Sequence, residues 1–216
     1  MQNNSNGSRL WQKLKPAIAI LGGLIILIWL TELADGLIFN GSLDQYGIRP
    51  RTVSGLYGIL WAPFLHGGMG HVMANTMPIL ILGGLIFLSR GIKDFLLAFI
   101  IILLISGLGT WLIGQNGSVH IGASGLVFGF FGFLLMMTWY DRRILNVAVA
   151  ALVIFFYGSI IWGIIPRGNG ISWQSHFFGL IGGGLAAYWL VHRRQPQETP
   201  KIEEDDILRI TENDLW

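Results

Sequence analysis

Long apolar runs separated by short polar segments dominate the chain. A run of roughly 20 mainly apolar residues is long enough to cross a bilayer as a helix. Six such runs can be drawn, at about 16–38, 72–88, 95–114, 124–140, 144–165 and 174–192. The pattern predicts an all-α membrane protein with a six-transmembrane-helix bundle.

The two ends differ from this apolar core. Residues 1–14 are polar and residues 193–216 form a charged tail. We expect two solvated cytoplasmic tails, 1–14 and 193–216, around one helical domain at 15–192. The first apolar run continues past Glu32 to Phe39 with no clear small-x-small site, which favours a membrane span over a cleaved signal peptide.

Small residues are frequent in two of the runs. The fourth contains Gly129 and Gly132, and the sixth contains Gly179 and Gly182–Gly184. Small residues allow helix backbones to approach closely in a membrane, where lipid offers no hydrophobic drive for association. We therefore expect spans four and six to be neighbours at the centre of the bundle.

Composition agrees with a membrane protein: 53% of residues are hydrophobic and 12% are charged, whereas a soluble domain has roughly 25% charged residues. With six spans, 11 of the 14 basic residues fall on the side of the termini, and only Arg49, Arg51 and Arg167 fall opposite. The positive-inside rule then places both termini in the cytoplasm. We expect a multi-pass protein of a cell membrane, the inner membrane of a bacterium.

The composition argues against nucleic acid binding and against cysteine chemistry. The net charge is only +2 and the basic residues are spread over several loops, so nucleic acid binding is not favoured. Cysteine is absent, which excludes disulfides, thiolate metal sites and cysteine nucleophiles.

Four polar side chains stand at one predicted depth. His71 and Asn75 begin span two, Ser124 begins span four and His176 begins span six. Even-numbered spans all run inward from the outer face, so these groups share the outer ends of their helices. Polar groups inside a membrane are costly and typically functional. The arrangement predicts a site shared by three helices.

The residue types at this depth suit acyl transfer. A serine hydroxyl needs a base, and a neutral imidazole is the usual one, so Ser124 and His176 are the candidate nucleophile and base. His71 and Asn75 are four residues apart on one helical face, and both can donate hydrogen bonds to an oxyanion. Gly122 and Gly125 leave room for a substrate backbone.

Each residue also has a structural interpretation. Ser124 could serve helix packing, His71 and His176 could be buried histidines bonded to neighbouring helices, and Asn75 could join two helices. His66 is interpreted as structural, tying the outer loop to span two. His120, four residues before Ser124, is a weaker alternative base. The four groups taken together favour catalysis.

Three motifs carry a family resemblance, and they resemble the rhomboid intramembrane serine proteases over roughly residues 16–192. They occur in the family's order and in its second, fourth and sixth helices. The motifs are His66-Gly67-Gly68-Met69-Gly70-His71-Val72-Met73-Ala74-Asn75, Gly122-Ala123-Ser124-Gly125, and His176-x-x-Gly179-x-x-x-Gly183. The resemblance implies a Ser124–His176 dyad without a carboxylate, His71 and Asn75 as oxyanion donors, and Phe128 stacked on His176.

The resemblance further implies cleavage of other transmembrane proteins near the outer membrane face. The partners would be those substrates and the lipid bilayer, and no metal or organic cofactor is implied. Span five and the loop 166–174 would correspond to a mobile gate and cap. The resemblance then implies Phe155, Phe156, Trp162 and Trp173 as gate residues.

One feature of the family is missing. Many rhomboids have a Trp-Arg pair in the first outer loop, whereas this loop offers Arg49, Arg51 and Trp61 without such a pair. The resemblance therefore does not extend to the packing of this loop or to a substrate preference that depends on it.

Two other functions compete with proteolysis. A small transporter or channel could use His and Asn to line a polar pathway, but the inner halves of spans two, four and six are apolar. A catalytically inactive rhomboid could act as a binding factor. Retention of both Ser124 and His176 argues against that alternative.

Overall fold

The structure is a computed structural model that describes residues 4–166 and 170–193. Within these ranges the regular structure is helical, apart from an isolated antiparallel bridge between Ile48 and His120. The α-helices are α1 (Asn4–Ala34), α2 (Val53–Trp61), α3 (Met69–Arg90), α4 (Ile92–Ile113), α5 (Ser124–Tyr140), α6 (Ile144–Tyr157) and α7 (Trp173–His192). A π-helical turn, Asp35–Phe39, extends α1, and a 3₁₀ segment, Gly158–Ile164, extends α6.

The predicted apolar runs correspond to α1 and α3–α7. The helix α2 was not predicted, because it lies in the glycine-containing loop between the first two runs. Thr52 begins it by accepting a hydrogen bond from the Gly55 N–H at 3.1 Å, as a favourable N-cap residue does.

Four helical stretches in the described part of the chain have both the length and the hydropathy of a membrane span. They are Leu14–Phe39, Met69–Arg90, Ile92–Ile113 and Ile144–Ile164. The helix α5 is apolar but has only 17 residues. An all-helical membrane protein is thus confirmed, while the count of six spans stays a prediction.

Helices α5 and α7 share the most extensive helix–helix interface in the structure. A methyl group on Gly179 would overlap the carbonyl of Gly125, and one on Gly183 would overlap the carbonyl of Gly129. The two backbones therefore touch, and the prediction that spans four and six are neighbours is confirmed. This contact brings the first turn of α5 beside the first turn of α7.

The loop between α1 and α3 is attached to the loop that precedes α5. Ile48 and His120 exchange two backbone hydrogen bonds, each 2.9 Å long. This pairing holds the loop between α1 and α3 against the residues leading to Ser124.

Arg51 attaches the same loop to the end of α4. Its guanidinium donates to the carbonyls of Leu112 at 2.6 Å and Gly114 at 2.7 Å, and its Nε donates to the Asn116 side chain at 2.9 Å. The backbone N–H of Arg51 also donates to the Trp111 carbonyl at 3.1 Å. This loop lacks the Trp-Arg pair of many rhomboids, and it is instead anchored by Arg51, which bonds the end of α4 next to Trp111.

Candidate active site

Ser124 is the first residue of α5 and His176 lies in the first turn of α7. The Ser124 Oγ is 2.8 Å from His176 Nε2, and His176 Nδ1 is 2.9 Å from the carbonyl oxygen of Gly163. A carbonyl can only accept, so Nδ1 carries the imidazole proton and Nε2 presents its lone pair to the serine. The buried imidazole is therefore in the tautomer that a general base requires.

Two further contacts orient the His176 ring. Phe128, one helical turn after Ser124, stacks on the imidazole with a centroid distance of 4.0 Å and an interplanar angle of 6°. Gly163 lies at the edge of this stack, where a methyl group would be 2.7 Å from Phe128 Cζ and 3.0 Å from His176 Nδ1. The ring is thus held by a phenyl face and by a backbone carbonyl.

His66 joins Asn75 to the residue before the serine. Its Nε2 lies 3.1 Å from Asn75 Nδ2 and accepts the Ala123 N–H at 3.4 Å. Burial, with a smaller contribution from the charge of His71, lowers the pKa of His66 to about 4. His66 is therefore neutral near pH 7 and can accept both hydrogen bonds.

His71 packs between His66 and Gly122. Its ring is T-shaped to that of His66, with centroids 4.8 Å apart. Gly122 has φ of +109°, and a methyl group there would lie 2.7 Å from His71 Cε1. Glycine is required at this position both by the backbone conformation and by the histidine ring.

The predicted polar residues line one cavity of about 440 Å³. The cavity walls include His71, Asn75, Ser124, Phe128 and His176. A second cavity of about 310 Å³ shares Phe128, Ile160, Ile171 and His176 with the first and extends to Trp162. The hydrogen-bonded pair of Ser124 and His176 therefore faces a space bounded on one side by the 3₁₀ segment after α6.

The remaining predicted residues are found at the edges of this space. Ala123 is fully buried, and Gly125 faces Ser106 and Ser175, which join α4 to α7 by a 3.1 Å hydroxyl contact. Among the predicted gate residues, Phe155, Phe156 and Trp162 are exposed. Trp173 begins α7, and residues 167–169 of the cap loop lie outside the described residues.

His120 does not contact the serine hydroxyl in this structure. Its ring nitrogens instead meet the hydroxyls of Ser118 and Ser172, each at 2.8 Å. Two groups near Ser124 and His176 were not found from the sequence: the Gly163 carbonyl, which leaves no side-chain signal, and Ser172. The position of Ser172 before an apolar run was a possible signal, since serine is favoured there.

The fold and this site define the class: an all-helical integral membrane protein with a serine and a histidine hydrogen bonded between two helix starts. Residues 53–194 match the family model described as the Rhomboid domain. The chain therefore belongs to the rhomboid family, whose members are generally intramembrane serine proteases, and membership implies a protease.

Three relatives illustrate the range of similarity. The uncharacterized protein Rv1337 of Mycobacterium tuberculosis is 44% identical over 185 residues, covering 79% of this chain and 76% of the relative. Rhomboid-like protein 11, chloroplastic, of Arabidopsis thaliana is 32% identical over 63% of this chain and 53% of its own length. Rhomboid protease GluP of Bacillus subtilis is 26% identical over 76% of this chain and 32% of its own length.

Proposed function

We propose that this rhomboid is an intramembrane serine endopeptidase that hydrolyses peptide bonds in or near transmembrane segments of membrane proteins through a Ser124–His176 dyad. One observation carries the proposal: the 2.8 Å contact between Ser124 Oγ and the His176 Nε2 lone pair, in a tautomer set by Gly163. Family membership supports the same reaction class.

In the first step, Ser124 Oγ attacks the carbonyl carbon of the scissile bond while its proton passes to His176 Nε2. The resulting imidazolium keeps its Nδ1–H on the Gly163 carbonyl, and the face of Phe128 stabilises its positive charge. His176 then protonates the leaving amine. A water molecule, activated by the same nitrogen, hydrolyses the acyl-enzyme.

Oxyanion stabilisation is assigned to three donors. Ser124 is the first residue of α5, so its backbone N–H has no acceptor within that helix. Asn75 directs one amide proton to His66 and keeps a second, and the His71 ring lines the same cavity. Each donor aimed at an oxyanion can contribute on the order of 10²–10³ in rate.

Substrate entry is assigned to the side of the dyad bounded by α6. The two adjoining cavities run from Ser124 past Phe128 to Trp162, and the neighbouring phenylalanines of α6 are exposed. A transmembrane segment with an unwound stretch could reach the serine from the bilayer along this side. Transmembrane substrates and lipid are the proposed partners.

The finer topology is also part of the proposal. Helices α1 and α3–α7 would form six spans in one domain, 15–192, between tails 1–14 and 193–216. Residues 194–216 lie outside the described residues. The distribution of basic residues supports cytoplasmic termini and a multi-pass location in a cell inner membrane.

Labelling of the detergent-purified protein with a fluorophosphonate probe tests the dyad. We expect labelling of the wild type and its loss in Ser124→Ala and His176→Ala. Ser89→Ala is a matched control, because Ser89 lies at the end of α3 that is remote from His71 and Asn75, where its hydroxyl donates to the Ile86 carbonyl. This variant should be labelled like the wild type. Labelling that persists in Ser124→Ala would exclude this nucleophile.

Cleavage of a single-span transmembrane substrate distinguishes a protease from a binding factor. Wild-type protein should release two fragments and Ser124→Ala should release none. Binding of the substrate without cleavage by the wild type would support an inactive rhomboid instead.

A further inference from the structure

A second hydrogen bond joins the two segments that carry the dyad. His120 Nδ1 lies 2.8 Å from Ser172 Oγ, and Ser124 Oγ lies 2.8 Å from His176 Nε2. His120 and Ser172 each stand four residues before a member of the dyad, so both bonds span 52 residues. Both pairs also line the same 440 Å³ cavity.

The hydrogen-bond chain fixes the tautomer of His120. Ser118 Oγ donates its single proton to the Gln115 carbonyl at 2.6 Å, so it can only accept from His120 Nε2–H at 2.8 Å. Nδ1 then carries the lone pair and accepts the hydroxyl proton of Ser172. Burial lowers the pKa of His120, which favours the neutral ring that this chain requires.

Ser172 is placed where a serine normally caps a helix, yet it does not cap. It immediately precedes α7, and its side chain makes no hydrogen bond to the backbone of that helix. A capping hydroxyl would stabilise the helix by about 1 kcal/mol. The hydroxyl is directed to His120 instead, while the Ser172 carbonyl accepts the His176 N–H at 3.3 Å.

The other end of this connection is anchored by backbone. The main chain of His120 is paired with Ile48 by two 2.9 Å hydrogen bonds, which tie it to the first outer loop. By contrast, the chain entering α7 passes through Gly170 at φ of +78° and has no side-chain cap. The start of α7 is therefore held by contacts from outside the helix: Ser106 of α4 bonds Ser175, and His120 bonds Ser172, the residue at which the helix begins.

We propose that His120 is a positioning residue for the catalytic dyad: through Ser172 it fixes the start of α7 and thereby the distance between His176 Nε2 and Ser124 Oγ. This inference rests on the proposed function. His120 contributes no proton to the reaction, since Nε2–H is bound to Ser118 and Nδ1 to Ser172. Its loss should reduce turnover rather than substrate binding.

Steady-state cleavage of a single-span substrate tests this role. A dyad displaced by a fraction of an ångström should lower kcat by about 10-fold in His120→Ala, with KM within about twofold of the wild type. Ser172→Ala should have the same effect. The double variant should be no slower than either single variant, because both remove one connection.

Two conservative variants separate positioning from general loss of packing. The amide oxygen of Asn can occupy roughly the position of Nδ1 and accept from Ser172, whereas the amide of Gln reaches the Nε2 position. His120→Asn should therefore recover most of kcat and His120→Gln should not. His192→Ala is the control, since this exposed histidine at the other end of α7 bonds the Tyr188 carbonyl.

Several results would overturn the inference. Unchanged kcat in Ser172→Ala, multiplicative effects in the double variant, or equal activity of the Asn and Gln variants would each contradict it. Loss of fluorophosphonate labelling in His120→Ala as complete as in His176→Ala would instead make His120 the base. If His120→Ala does not fold, the comparison of Asn with Gln decides. Cleavage that persists in Ser124→Ala would reject the proposed function, but it would not test the connection between His120 and Ser172.

Discussion

The phenyl ring of Phe128 lies parallel to the imidazole of His176, with the ring centroids 4.0 Å apart and the planes inclined by 6°. Phe128 is four residues after Ser124, so one face of α5 supplies both the proposed nucleophile and the ring that stacks on its proposed base. The stack excludes water from one side of the imidazole and leaves its Nε2 edge toward the serine.

Removing this stack should slow the reaction. We expect Phe128→Ala to lower kcat by roughly 10-fold. Without the stacked ring the imidazole of His176 can rotate, and its Nε2 then points toward Ser124 Oγ for less of the time. Phe128→Tyr, which keeps the ring, should lose far less. Phe177→Ala is the matched control, since Phe177 is next to His176 on α7 but is 39% exposed. Equal rates for Phe128→Ala and the control would contradict the orienting role.

The close approach of α5 and α7 should not tolerate a methyl group at Gly183. A Cβ there would overlap the Gly129 carbonyl, so the helices would have to separate and displace His176 from Ser124. We expect Gly183→Ala to cost about 1–3 kcal/mol of stability and to abolish fluorophosphonate labelling. Thermal unfolding in detergent measures the first effect.

Gly184→Ala is the control for this prediction. The nearest atom to a Cβ at Gly184 is Met136 Cγ at 3.4 Å, and alanine has the higher helix propensity. We expect an unchanged or slightly raised Tm. Similar losses at both glycines would show that the effect comes from helix composition rather than from the contact with α5.

Arg51 should be irreplaceable by lysine. Its planar guanidinium reaches the carbonyls of Leu112 and Gly114 and the Asn116 side chain together, which a single ammonium cannot do in the same geometry. Arg51→Lys should lower Tm and speed amide hydrogen exchange in residues 111–120. The control is Arg49→Lys, because the Arg49 side chain donates one 3.1 Å hydrogen bond, to the Gln45 carbonyl. Equal exchange rates in the two variants would contradict the anchoring role.

Stability should depend on pH through His66. Its pKa is about 4 in the folded protein, mainly because of burial, against an ordinary value of 6.5. Between these values the unfolded chain binds more protons, so stability falls as pH decreases from about 6.5 and levels off near 4. The full effect is at most about 3 kcal/mol.

The measurement for His66 is Tm in detergent between pH 7.5 and 4.5. His66→Asn cannot take up this proton, so its Tm should change less with pH than that of the wild type. If Tm falls with decreasing pH equally in the two proteins, groups other than His66 cause the loss of stability in acid.

Much of the helical layout could be predicted because bilayer-length apolar runs permit few other structures. The bounds of α5, 124–140, agree with the predicted fourth run, and glycine content correctly indicated that α5 and α7 touch. The helix α2 was missed because it has only nine residues in a loop of mixed composition. Short helices depend more on tertiary contacts than on local preference.

The candidate site was predictable only in part. Ser124 and His176 could be proposed from residue type and predicted depth, and Phe128 from the family resemblance. The Gly163 carbonyl that sets the His176 tautomer could not, because a backbone acceptor is the same at every residue. His120 could be noticed but not assigned, since its partner Ser172 is 52 residues away in sequence.

By itself the sequence determined a helical membrane protein with serine and histidine near the ends of predicted spans, because hydropathy is a local property of each segment of the chain. The tertiary structure decided which ring nitrogen of His120 and of His176 accepts a hydrogen bond, what holds the loop between α1 and α3, and why His120 faces Ser172 instead of Ser124. These outcomes depend on distances between segments remote in sequence, and hydrogen bonds are sensitive to fractions of an ångström.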